Sequence, residues 1–158
     1  MNIQKFTQKS IEAVNKCEQL AYEYGNQQIE QEHLLYSLLT IDDSLILKLV
    51  QKMGIDPQQF LQASERALAG VTKVSGSGSR VYVSGDLNKA LIGAESEAKQ
   101  LGDEYVSVEH LFLSLIRNAD RVLSKLFKDN GITRDTFLKA LSTVRGNQKV
   151  TTDNPEAT

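Results

Sequence analysis

Apolar residues recur at spacings of three and four through most of this chain, the period of a helix with one buried face. Ile11, Val14, Cys17 and Ala21 share a face downstream of Thr7, and Leu87, Leu91, Ala94, Ala98 and Leu101 do so downstream of Ser84. Thr7 and Ser84 are residue types that cap helix N-termini through a side-chain oxygen. Gly25 and Gly102 suit the left-handed position that closes a helix without steric cost. Two denser apolar runs follow, Ile29 to Leu39 and Val106 to Ile116, each opening beside a Glu-His pair. Ser107 is predicted to cap the second run; Glu30 stands in its place in the first and is a weaker start signal. Asp43 and Asp120 are predicted to cap a third, short helix that ends at Gly54 or Gly131. Asp56-Pro57 and Thr133 open a fourth, with Phe60, Ala63 and Ala67, or Phe137, Leu138, Leu141 and Val144, on its apolar face.

These elements are one unit read twice. A shift of 77 residues carries Glu32-His33-Leu34 onto Glu109-His110-Leu111. The same shift pairs Ala13 with Ala90, Asp43 with Asp120, Gly54-Ile55 with Gly131-Ile132 and Phe60-Leu61 with Phe137-Leu138, without a gap. A fixed-register repeat outranks any single-residue clue. The predicted fold is therefore all-α, eight helices arranged as two tandem four-helix repeats about a pseudo-twofold axis. The expected domain is 1–146, with repeat one about 5–69, a connector 70–83 and repeat two about 84–146. Within the connector, Ser75-Gly76-Ser77-Gly78-Ser79 reads as flexible linker. Arg80-Val81-Tyr82-Val83 reads as extended chain too short and isolated to build a sheet. The polar stretch 147–158 reads as a tail or a linker toward a further module.

Composition narrows the function. With 158 residues there is enough chain for a real core. A formal charge of −2 supplies no basic stripe, which argues against nucleic acid as a partner. Cys17 is the only cysteine, so no internal disulfide framework exists and a reducing compartment is expected. The start lacks a basic region followed by a long apolar stretch, and no run approaches the ~20 apolar residues of a membrane span. The expected address is the cytoplasm, with no membrane partner.

Catalytic signatures are missing from the sequence. Gly76-x-Gly78 is not a phosphate-binding loop. His33 and His110 each have a single acidic neighbour and lack the His-Glu-x-x-His spacing that sets two ligands on one helix face, so each is expected to pack its ring and make one structural hydrogen bond. No serine or cysteine sits in a nucleophile elbow. Glu32 and Glu109 fall in the first turn of a helix, where a carboxylate gains from the dipole. A duplicated domain also has a seam between its halves, and grooves between helices receive partner segments.

The Phe6-Thr7-x-Lys9-Ser10 opening, the two Glu-His-Leu blocks, Lys73-Val74-Ser75-Gly76 with Val81-Tyr82-Val83-Ser84, and Arg145-Gly146-Asn147-Gln148-Lys149-Val150-Thr151 together resemble the N-terminal domain of Clp AAA+ chaperone ATPases, built from two Clp repeats and most similar to the ClpB type. The resemblance implies a mobile domain without catalysis of its own. It would capture unfolded or aggregated polypeptide for a homohexameric ATP-driven pore that cooperates with a DnaK-type chaperone. It implies no cofactor in this chain, ATP and Mg belonging to ATPase modules outside it. It also implies substrate-handling roles for Thr7, Asp103 and Glu109. The related ClpC type implies an alternative, an adaptor or phosphoarginine contact at Glu32, Glu109, Thr7 and Ser84. There a phosphoryl group would rest on a helix N-terminus and a glutamate would pair the guanidinium.

Overall fold

Helix starts follow the cap chemistry. In the computed structural model, which describes residues 3–74, 80–146 and 148–155, the Thr7 side chain accepts the Ser10 N–H and opens α1 (Gln8–Glu23), while Ser84 accepts that of Leu87 and opens α5 (Gly85–Gln100). The linker segment 75–79 lies outside the described residues. Asp56, Asp120 and Thr133 cap α4 (Pro57–Ala69), α7 (Arg121–Asp129) and α8 (Arg134–Arg145) as their sequence context predicts. Gly25, Gly54, Gly102 and Gly131 all take positive φ, between 69° and 84°, at the helix ends where the sequence asked for it. With α2 (Gln31–Thr40), α3 (Leu45–Lys52) and α6 (Val108–Arg117) these make eight helices among the described residues, the expected all-α fold.

Two expectations need correction. Asp43 does not cap α3: Ser44 does, accepting the Leu47 N–H and donating to the Leu38 carbonyl at 2.6 Å. Both residues are cap-competent, and the turn places Asp43 outside at φ 54° with its carboxylate 2.5 Å from Lys48 Nζ. The stretch before α5 is not isolated either. Tyr82–Val83 (β2) pairs in parallel with Gln28–Ile29 (β1). The related half repeats this as a bridge between Phe6 and Val106.

That pairing is reciprocal. The residues leading into α5 hydrogen-bond to the loop of the first repeat, with Ser84 N–H on the Ile29 carbonyl at 3.0 Å. Those leading into α1 bond to the loop of the second, with Thr7 N–H on the Val106 carbonyl at 2.9 Å. Each repeat therefore supplies the entry strand of its own first helix to its twin. Within each repeat one buried serine ties the first two helices together in the same way, Ser37 Oγ to the Ala13 carbonyl at 2.6 Å and Ser114 Oγ to that of Ala90 at 2.5 Å.

The pseudo-twofold brings α2 against α6, and a single core runs through both repeats. Leu34, Leu35, Leu38, Leu49 and Phe60 meet Leu111, Phe112, Leu115 and Phe137, all fully buried. On the α1 side the buried face is Ala13, Cys17, Leu20 and Ala21, with Ile11 and Val14 on its flank. Each buried leucine or phenylalanine contributes about 1.5–3 kcal/mol. One polar clamp crosses the same interface. Gln31, fully buried at the first position of α2, donates to the carbonyls of Asp86 (2.9 Å) and Asn118 (2.8 Å) and accepts the Asp120 N–H at 2.8 Å. The counterpart of Gln31 is Val108, so this clamp exists on one side only.

Gln31→Val, which copies that counterpart, strands three backbone groups. It is expected to destabilise the domain by about 2–3 kcal/mol, read as a lowered urea midpoint with an unchanged m-value.

Candidate functional site

His33 and His110 occupy the third position of α2 and α6 and are fully buried. In each the Nδ1 atom accepts a backbone N–H from the cap residue, Glu30 or Ser107, at 2.8 Å. An Nδ1 that accepts carries no proton, so the ring hydrogen sits on Nε2. That Nε2–H donates to Asn26 Oδ1 at 2.8 Å in the first repeat and to Asp103 Oδ2 at 2.7 Å in the second. Burial drives the His33 pKa down to about 4 and lowers that of His110. His33 thus makes two ring bonds and His110 three, the Ser107 hydroxyl also donating to its Nδ1 at 3.0 Å, where one was expected of each, and both rings are committed to holding a helix start against the preceding loop.

Asn26 and Asp103 are equivalent under the repeat and hold the segment that leaves each repeat. The Asn26 amide donates to the carbonyls of Val71 and Thr72 at 3.2 and 3.0 Å. The Asp103 carboxylate accepts the Val150 N–H at 3.0 Å and pairs with the Arg145 guanidinium. Burial pushes the Asp103 pKa up, but Arg145, the Val150 amide and His110 outweigh it and leave the group below the ordinary carboxylate range. The Val150 carbonyl accepts from Glu104 and Tyr105, and its side chain is buried. The polar stretch after Gly146 therefore lies against the second repeat at Lys149 and Val150 and reaches the start of α1 at Asp153.

Two crevices follow the seam, one the rotated copy of the other. The first, about 340 Å³, lies between Lys9, Ile41, Asp43, Leu45 and Lys48 of repeat one and Val108, Glu109, Leu141, Val144 and Arg145 of repeat two. Its twin is more open, about 560 Å³, and is lined by Glu30, Glu32, Arg66 and Ala67 on one side and Asp86, Asp120, Arg121 and Val122 on the other. The candidate glutamates sit at equivalent places, Glu109 in the first crevice and Glu32 in the second, each about 5% exposed. Their surroundings differ. Arg145 Nε lies 3.9 Å from the Glu109 carboxylate. Glu32 instead faces Asp120, and burial together with that second carboxyl pushes its pKa up to about 9. Glu32 therefore keeps its proton at neutral pH.

The other candidates lie beneath this surface. Thr7 is fully buried, its hydroxyl accepting the Ser10 N–H and donating to Ser10 Oγ. Ser84 is buried as the α5 cap. The Asp153 carbonyl accepts the Gln8 N–H at the α1 N-terminus, and Asp86 stands in the first turn of α5. A phosphoryl group at either terminus would meet an acceptor already in place. Sequence reasoning missed Asn26, Arg145 and Gln31. Asn26 and Asp103 were findable, each seven residues before its histidine. Among the described residues no group of three or more His, Cys, Asp and Glu side chains could hold a metal ion, and no helix is long and apolar enough to cross a membrane.

A duplicated helical domain with paired seam crevices and structurally committed histidines belongs to the class of binding modules. The chain belongs to the Clp repeat N-terminal domain family, whose model matches residues 5–130. It is 38% identical over its whole length to the chaperone protein ClpB of Nitratidesulfovibrio vulgaris and 38% identical to that of Bacillus anthracis, spanning only 19% and 18% of those proteins. In fold it is similar to the Hsp104 N-terminal domain from Candida albicans (TM-score 0.81, 24% identity, covering 94% of this chain and 97% of that one). It is also similar to the ClpV N-domain solved in complex with a VipB peptide (TM-score 0.68, 21% identity, covering 92% and 90%).

Because folded Glu32 keeps its proton to about pH 9 while the unfolded chain releases it near 4.5, its contribution is complete below pH 4.5 and is lost as pH rises toward 9. Glu32→Gln, which keeps the donor toward Asp120, is expected to match the parent at pH 5 and exceed it in thermal midpoint at pH 8.

Proposed function

We propose that this domain captures unfolded or aggregated polypeptide for a ClpB-like, ATP-driven disaggregase and carries no catalysis of its own. The observation that supports this reading best is the crevice at Glu109, an apolar floor of Ile41, Val108 and Leu141 opening between the partly buried Leu45 and the half-exposed Val144. A floor of that kind accepts side chains without demanding a sequence, which suits a ligand defined by being unfolded. The relatives that share the whole of this chain carry the chaperone name, and a neighbour of the same fold was solved with a peptide.

In this reading Glu109 meets the incoming segment, while Thr7 and Asp103 act one step behind it. Thr7 fixes the start of α1, next to Lys9 at the crevice rim. Asp103 holds Arg145 and the chain at Val150, which form the opposite wall. ATP and Mg act in ATPase modules beyond this chain, and residues 147–158 lead toward them. The assembled protein is a cytoplasmic homohexamer working with a DnaK-type chaperone. The phosphoarginine alternative keeps its two glutamates in equivalent crevices, but a protonated Glu32 and the acidic Asp86 suit a guanidinium and its phosphate poorly.

Amide shifts on titration with a permanently unfolded polypeptide are expected at Ile41, Leu45, Val108, Glu109 and Val144; shifts confined elsewhere would sink the assignment. Burial of one valine is worth about 1.5 kcal/mol, so Val144→Asp is expected to weaken capture by roughly tenfold while leaving the fold intact, since Val144 is 49% exposed.

A further inference from the structure

The duplication that built the two crevices did not keep their charge. Under the repeat, Glu109 and Asp43 of the first correspond to Glu32 and Asp120 of the second, so both inherit two carboxyl groups. Around the Glu109 pair stand four cations, Lys9, Lys48, Arg145 and Lys149. Three of their counterparts, Asp86, Leu68 and Thr72, carry no positive charge. The Glu32 pair is joined by Glu30 and Asp86 and answered only by Arg66 and Arg121. With every carboxyl counted as ionised the balance is +2 in one crevice and −2 in the other, and the proton on Glu32 still leaves the second negative. Asp103, which binds Arg145 from behind, lies outside both linings.

The apolar rim was kept but the floor was not. Leu45 corresponds to Val122 and Val144 to Ala67, so each crevice keeps an aliphatic rim. Val122 and Val144 are both nearly half exposed. Ile41, Val108 and Leu141, the floor of the first crevice, correspond to Asn118, Gln31 and Ser64, so floor polarity and charge together separate the two. Fields from like-charged groups around a concave surface steer and sort ligands even when each pair is weak.

We propose that the Glu109 crevice selects apolar segments flanked by aspartate or glutamate and that the Glu32 crevice rejects them. This deepens the capture reading and rests on it, since it names the class of polypeptide segment that the site prefers. Lys48 and Lys149 would meet the acidic flanks, Leu45 and Val144 the apolar centre, and Arg145 would stay paired with Asp103.

The test uses two peptides with one apolar core, flanked by glutamates in one and by lysines in the other, titrated into the isotopically labelled domain beside a permanently unfolded protein. The acidic peptide is expected to shift Leu45, Val108 and Val144, to bind several-fold more tightly than the basic one, and to weaken as salt rises. Lys48→Glu, at a side chain 58% exposed, is expected to cost the acidic peptide roughly fivefold, within the range for an exposed pair. Arg121→Glu in the twin crevice is expected to leave that affinity unchanged. Equal affinity for the two peptides, tighter binding of the basic one, shifts of the acidic peptide at Val122 and Ala67, or indifference to Lys48→Glu would each overturn the proposal. If the unfolded protein shifts the Glu109 crevice while neither peptide binds, the charge preference falls and capture stands; if nothing binds, both fall.

Discussion

The domain depends on α2 and α6 pressing their apolar faces against each other. α2 and α6 pack within their own repeats and also against each other, so Leu34, Leu35, Leu38, Leu111, Phe112 and Leu115 lie in one buried core that both repeats build. The exchange of entry strands enforces the same dependence through the backbone: Phe6 completes the loop at Val106, and Val83 the loop at Ile29. A seam made this way is permanent, and its two ends necessarily open as crevices between the starts of α2 or α6 and the short helices of the other repeat. The functional surface is thus a consequence of the packing problem, not an addition to it.

What holds each crevice in shape is a histidine that never needs to titrate. With Nδ1 accepting the cap N–H and Nε2–H donating to Asn26 or Asp103, the ring is a rigid strut between a helix start and the loop before it. The strut is symmetric but its far end is not. An amide in the first repeat grips two carbonyls, whereas a carboxylate in the second grips an N–H and a guanidinium. A one-atom change in side-chain chemistry brings Arg145 into one crevice wall and leaves its twin without a cation there.

The repeat, the helix count and most caps were legible because each rests on local chemistry stated within a few residues. The start of α2 was harder to read. Glu30 looked a poor cap by residue type, yet the bond that matters uses its backbone N–H, which any residue but proline offers, and the information sat three residues on in His33. Asp43 and Ser44 are adjacent cap formers, and no pattern chooses between neighbours when the turn decides by one residue. Glu97 carries no such local mark: it is fully buried, paired with Arg117 and Arg134, residues 20 and 37 positions away that only the fold brings to it. The strand pair was within reach, since the 77-residue shift lays Phe6 on Val83 and Ile29 on Val106, but its exchange between repeats is a tertiary fact.

That rim charges drift more readily than the shared core follows from the energies involved. A substitution on the shared core costs several kcal/mol because the surrounding atoms cannot collapse around it. Exchanging one rim charge for another costs a few tenths to about 1 kcal/mol. The exposed rim positions were therefore free to differ after duplication, as Lys9 does from its counterpart Asp86 and Lys149 from Thr72, whereas Arg145 against Leu68 and Val108 against Gln31 are exchanges at buried or partly buried places. Glu32 records the result on its own side. Buried beside Asp120, it takes up a proton, where Glu109 has Arg145 within 3.9 Å. One backbone frame, held by equivalent struts, thus presents two surfaces of opposite electrostatic sense.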